Sequence, residues 1–255
     1  MNKLKDELGL QTILSHCGRN LEASGGYVNV PPYEGSTILH DDMEDLFGRV
    51  DNHLYGDGTA QTYGTDGGPT HEAFYDAMNK LEGGAGTWAF STGLAGCTIP
   101  MMAFLKTGDH MLVTDSVYGP TRQFCEVLLK NFGVEAEFYE PTIGAGIEKL
   151  IRPNTRLIYM ESPGTHTFEM QDVSAIAAVA RKYNIVTMID NTYATPLNFQ
   201  PLKHSVDVVV HSATKYICGH SDVLMSTVTC NEKTWKQVRD VCKMTGQYAS
   251  RKVCT

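Results

Sequence analysis

A chain of 255 residues with 42% hydrophobic content is long enough to bury one sizeable core. Its formal net charge of −8, from 21 basic against 29 acidic residues, comes without any Lys/Arg-rich run; this argues against nucleic acid and anionic membrane as partners and leaves small molecules as the expected ligands. Seven scattered cysteines without a C-x-x-C pair, a charged N-terminus and no long apolar run point away from zinc, disulfides, signal peptide and membrane span, and toward the reducing cytosol.

Residues 1 to 68 are rich in Gly, Asn, Asp, Tyr and Pro and read as an extended arm, with one short helix expected near Asp41 to Phe47. From residue 69 to 255 the pattern becomes regular. "HEAFYDAMNKLEGG" carries apolar residues at helical spacing and a glycine stop, and "TWAFS" (87–91) follows as a short strand. Further strands are expected at 110–114, 134–139, 156–160, 184–190, 206–211 and 223–230, with helical patterns in "GLAGCTIPMMAFLKTG", "PTRQFCEVLLKNFG" and "DVSAIAAVARKYN" between most of them. This recurrence predicts right-handed crossovers and an α/β fold, a mostly parallel seven-stranded sheet between helices. The last strand follows after a short link and is expected to run antiparallel.

Ligands of such sheets bind beyond the carboxyl ends of the strands, so the residues just after each strand carry the information. They are Ser91-Thr92-Gly93, Asp115 to Tyr118, Glu161 to Gly164, Asp190-Asn191-Thr192 and His211 to Lys215. A Ser-Thr-Gly turn opening a helix favours an anion such as phosphate. Ser212 and Thr214 add hydroxyls, Tyr118 offers a flat face for a ring, and Asp190 at the end of an apolar strand calls for a cationic partner such as a protonated ring nitrogen. With the Lys215 amine, the set describes the surroundings of pyridoxal 5'-phosphate bound as a Schiff base.

Each piece alone has a plainer reading. A lysine after a strand is usually a solvated cation, an aspartate there often caps a helix, and Glu161 reads as a structural ion-pair member. His211, His220 and Cys218 lack a third ligand at matching spacing, so no metal site is expected. The conjunction favours the cofactor.

"SATKYICGHSD", "MIDNTYATP", "ESPGTHTFEMQDV", "DSVYGPTRQF" and "STGLAG" resemble, in order and spacing, the Cys/Met-metabolism pyridoxal-phosphate enzymes of aspartate-aminotransferase-like fold (fold type I). "ESPGT", "YGTDGGPTHEAF" and "PTIGAGIEKLIRPNT" look closest to the bacterial cystathionine β-lyase branch. The resemblance implies that Lys215 carries the cofactor and shuttles protons, Asp190 meets the ring nitrogen, and Tyr118 stacks on the ring. It also implies that the backbone of Gly93 and Leu94, with Ser212 and Thr214, holds the phosphate. Tyr63 would reach a neighbouring subunit's cofactor, making the active unit a homodimer or homotetramer.

The activity so implied is carbon–sulfur β-elimination of cystathionine to homocysteine, pyruvate and ammonia in methionine synthesis. The alternatives are γ-synthase, γ-lyase or alanine racemase chemistry, or a cofactor-binding chain without turnover. The sequence departs from the family twice. Thr65 stands where relatives have a phosphate-pairing arginine, a contact that Arg122 is the candidate to replace. The chain also ends at "RKVCT", where relatives continue into a C-terminal domain carrying the arginine for the substrate carboxylate; without it the apolar face of "KTWKQVRDVCKMTGQYASRK" is expected to lack cover.

Overall fold

The computed structural model describes residues 9–254 apart from Ala23 and Asp57. In the N-terminal stretch, α1 (Leu10–His16) and α2 (Met43–Tyr55) form, the second capped by the Asp42 carboxylate on the Asp45 N–H and reaching well past the segment expected to be helical. No residue of either helix is buried. The stretch is tied to the body through α3 (Pro69–Glu82), where the Thr70 hydroxyl accepts from the Tyr33 N–H at 2.9 Å and donates to the Pro31 carbonyl at 3.0 Å. A proline opens α3 and Gly83, at φ 74°, closes it, the stop read from the sequence.

The remainder alternates strand and helix: β1 (Gly86–Phe90), α4 (Gly93–Thr98), β2 (His110–Thr114), α5 (Gly119–Gln123), β3 (Glu135–Tyr139), β4 (Thr155–Glu161), α6 (Val173–Lys182), β5 (Val186–Asp190), α7 (Thr195–Asn198), β6 (Val208–His211), β7 (Ser226–Cys230) and α8 (Glu232–Met244). The strands form one sheet in the order β1-β7-β6-β5-β4-β2-β3. β7 alone runs antiparallel, to both β1 and β6, so the other six point the same way. All seven expected strands are present. The Val/Ile/Met-rich runs of β2, β4, β5 and β6 are buried on both faces, as parallel strands between helices require.

Two of the expected helices are broken. The first is α-helical only over α4 and tightens into a 3-10 segment at Ile99–Ala103, where Pro100 cannot donate to the ladder. The second passes from α5 into a π-type turn at Phe124–Leu129. Edge strand β3 is protected by charge, with Glu135 and Glu137 both held by Arg152.

The expectation for α8 fails. Its apolar face is covered: Val238 and Cys242 are fully buried, and the Trp235 ring lies directly over Gly86, where a Cβ would overlap it. α8 packs on β1, β7 and the 3-10 segment, so these elements supply the cover expected from a further domain.

Candidate active site

Six strands with a common direction bring their carboxyl ends to one edge, and there a cavity of about 500 Å³ opens. It is lined by Gly93 and Leu94 from α4, Tyr118 before α5, Asp190 at the end of β5, and Ser212, Thr214 and Lys215 after β6. Seven of the eight candidate residues thus meet in one place. The eighth, Tyr63, is half exposed in a separate hollow with Thr65, Tyr248 and Arg251.

Asp190 is 8% exposed. Its Oδ1 accepts the Thr192 N–H at 3.0 Å, and its Oδ2 lies 3.5 Å from the Cys97 thiol. It has no ion-pair partner among the described residues, so a cationic group of a ligand would complete its surroundings. The side chain of Lys215, exposed on the turn after β6, makes no hydrogen bond or ion pair among the described residues and lines the same cavity. Its amine is uncommitted.

At the start of α4 the Thr92 hydroxyl accepts the Ala95 N–H at 3.3 Å, leaving the N–H groups of Gly93 and Leu94 without helical partners. A Cβ on Gly93 would sit 2.6 Å from Ser212 Oγ, so glycine is what lets this hydroxyl approach the helix end. Thr214 is placed differently from a free phosphate donor. Its hydroxyl accepts the Met225 N–H at 2.9 Å and donates to the Met225 carbonyl at 3.1 Å. An anion cradle made for close backbone approach, a buried carboxylate, a free amine and a half-exposed tyrosine fit pyridoxal phosphate.

Glu161 is not an ion-pair member. It is 7% exposed, lines the cavity, and makes no ion pair among the described residues; its Oε2 accepts the Tyr118 N–H at 2.8 Å and its Oε1 accepts the Thr165 hydroxyl. Burial first, and the neighbouring Asp190 second, push its carboxyl up to about 8. Its place at the carboxyl end of β4 was the available signal. Arg122, the candidate to replace the charge missing at Thr65, is held by partners within its own chain. It donates to the Asp115 carbonyl at 2.8 Å, pairs with the Asp115 and Glu126 carboxylates, and lies 3.9 Å over the Phe138 ring, outside the cavity.

The fold and this edge are those of the aspartate-aminotransferase-like, pyridoxal-phosphate-dependent class. A solved structure of metB from Corynebacterium glutamicum superimposes with a TM-score of 0.87 at 29% identity, over 98% of this chain and 62% of that one. The chain belongs to the Cys/Met metabolism PLP-dependent enzymes, whose family pattern it matches over residues 11–254. It is 46% identical over 239 residues to a putative cystathionine beta-lyase of Rhizobium johnstonii, covering 94% of this chain and 58% of that protein. It is 38% identical over 240 residues to cystathionine beta-lyase MetC of Escherichia coli, covering 93% and 60%. The chain thus spans about three fifths of the length of these relatives.

Proposed function

We propose that residues 69–255 are the cofactor-binding large domain of a carbon–sulfur lyase that cleaves cystathionine, with water, to homocysteine, pyruvate and ammonia. Residues 1–68 serve as its arm. The observation that carries this reading is the sharing of one cavity by the unpaired Lys215 amine and the buried Asp190 carboxylate, beside the cradle of Gly93 and Ser212. The relatives named for cystathionine cleavage support the substrate class.

Bound pyridoxal phosphate would supply an electron sink for charge developing at the substrate Cα. The chain's residues do the rest. Lys215 would hold the cofactor through its amine, and the same amine would remove the proton from the substrate Cα and return one to the leaving sulfur. Asp190 holds the ring nitrogen's proton in place. Tyr118 backs the ring, its main chain fixed by the hydrogen bond to Glu161. Gly93, Leu94 and Ser212 hold the phosphate, and Thr214 joins them by giving up its bond to Met225.

The partner is a second copy of the chain, in a homodimer or homotetramer, because Tyr63 lies away from its own chain's cavity. Seven free thiols support a cytosolic location. No helix among the described residues is long and apolar enough to cross a membrane.

A second reading, cofactor binding without turnover, is favoured by one observation: among the described residues no arginine lines the cavity to anchor a substrate carboxylate. One experiment separates the two. Protein mixed with pyridoxal phosphate should acquire a visible band that borohydride bleaches, with a mass increase lost in Lys215→Ala. Cystathionine should then yield pyruvate and a free thiol. A band without pyruvate selects the second reading, and no band overturns both.

A further inference from the structure

Beside Asp190 stand three polar side chains that the chemistry above leaves unused, one of them, Cys97, at the wall of the same cavity. Cys97 on α4 is 2% exposed, and its sulfur lies 3.5 Å from Asp190 Oδ2. Tyr159 on β4 and Thr121 on α5 are fully buried and present their hydroxyls to the same thiol. Neither hydroxyl has a well-formed hydrogen bond of its own. Phe90, Met101, Val113 and Val210 belong to the same apolar core cluster as Cys97 and Tyr159. A valine or isoleucine would fill the Cys97 position with less polar surface to bury. The polar group therefore stands out against its surroundings.

Burial and the Asp190 charge both push the Cys97 thiol well above its ordinary range, so it remains S–H and acts as a donor. With the Thr192 N–H on Oδ1 at 3.0 Å, each oxygen of Asp190 then has one protein donor. Donors to the ionised form favour that form, and do so most strongly where water is excluded. A carboxylate facing a ring N–H in an apolar site is otherwise free to accept its proton, which turns an ion pair into a neutral pair and weakens the ring as an electron sink.

We propose that Cys97 is a positioning residue for Asp190: its S–H, backed by the hydroxyls of Tyr159 and Thr121, keeps that carboxylate ionised and aligned, so that the cofactor's ring nitrogen stays protonated. This rests on the cofactor reading above. The thiol takes no part in bond making.

The test uses pyridoxal phosphate labelled with 15N in its ring, bound to wild type, Cys97→Ser, Cys97→Val and Tyr159→Phe. Cys97→Ser keeps a donor and is expected to hold the ring 15N resonance at the protonated position. Cys97→Val keeps the bulk but removes the donor; its resonance should move toward that of unprotonated pyridine, with cofactor affinity falling about tenfold. Tyr159→Phe, which leaves Cys97 in place, should move it the same way by less, and this keeps the test decisive where Cys97→Val does not fold. A role in packing alone would change stability in these variants and leave the resonance still. A wild type that binds labelled cofactor while neither Cys97→Val nor Tyr159→Phe shifts the resonance overturns the inference and spares the cofactor reading. A wild type with no borohydride-bleachable band overturns both.

Discussion

Glu161 and Asp190 are register partners at the carboxyl ends of β4 and β5, two buried carboxyl groups on neighbouring strands with no cation of the described chain between them. Two like charges so placed disfavour one another, and the burden falls on Glu161, whose carboxyl is pushed up to about 8 chiefly by burial.

This fixes a sign for pH dependence. The folded state holds the Glu161 proton up to about pH 8, whereas an unfolded chain releases it near 4.5, the ordinary value. Stability from this group is complete below the lower value and is lost as pH rises toward the upper one. Urea unfolding at pH 5, 6.5 and 8 should show wild type weakening across that range and Glu161→Gln weakening less. Parallel pH curves for the two proteins would refute the assignment.

Gly93 should tolerate no side chain without harm to the anion cradle. In Gly93→Ala the new Cβ displaces the Ser212 hydroxyl from the helix end. Pyridoxal phosphate affinity, read from the visible band, is expected to fall about tenfold. Gly119→Ala, whose Cβ meets nothing within 4 Å, serves as the control and should bind as wild type does.

The cover over β1 is open to a stability measurement. Gly86→Ala drives a methyl group into the Trp235 ring, and an overpacked, rigid contact of this kind costs about 2 kcal/mol. Denaturant midpoints should fall accordingly. An unchanged midpoint would mean that α8 does not rest on β1 in solution.

Cooperation between copies is testable by mixing. A Tyr63→Phe chain keeps Lys215, and a Lys215→Ala chain keeps Tyr63. If Tyr63 serves the neighbouring cavity, mixed dimers hold one intact cavity and should recover tight cofactor binding absent from either parent. No recovery in dimers shown to be mixed would place Tyr63 outside the partner's site.

The central strands were legible because each is a short apolar run that one strand can bury on both faces; β2, His110–Thr114, has the bounds read from the sequence. The cavity was legible for a related reason, since an α/β sheet sends the residue after each strand to one edge. What pattern could not convey was contact between segments far apart in the chain. The thiol behind Asp190 is 93 positions away from it. The cover of α8 depends on a glycine in β1, and the role of Glu161 depends on the absence of a cation that its sequence neighbours do not reveal. Arg122 looked available in the sequence because Asp115, Glu126 and Phe138, which hold it, show no fixed spacing that marks them as partners.

β1 has a single neighbour in the sheet, and that neighbour is β7. The turn at Ser91 to Gly93 therefore leads off a strand that stays without a hydrogen-bonding companion until the ribosome has delivered Ser226 to Cys230. Until then the nascent chain carries an unfinished anion cradle, and residues far downstream of β1 determine when that strand is locked in place.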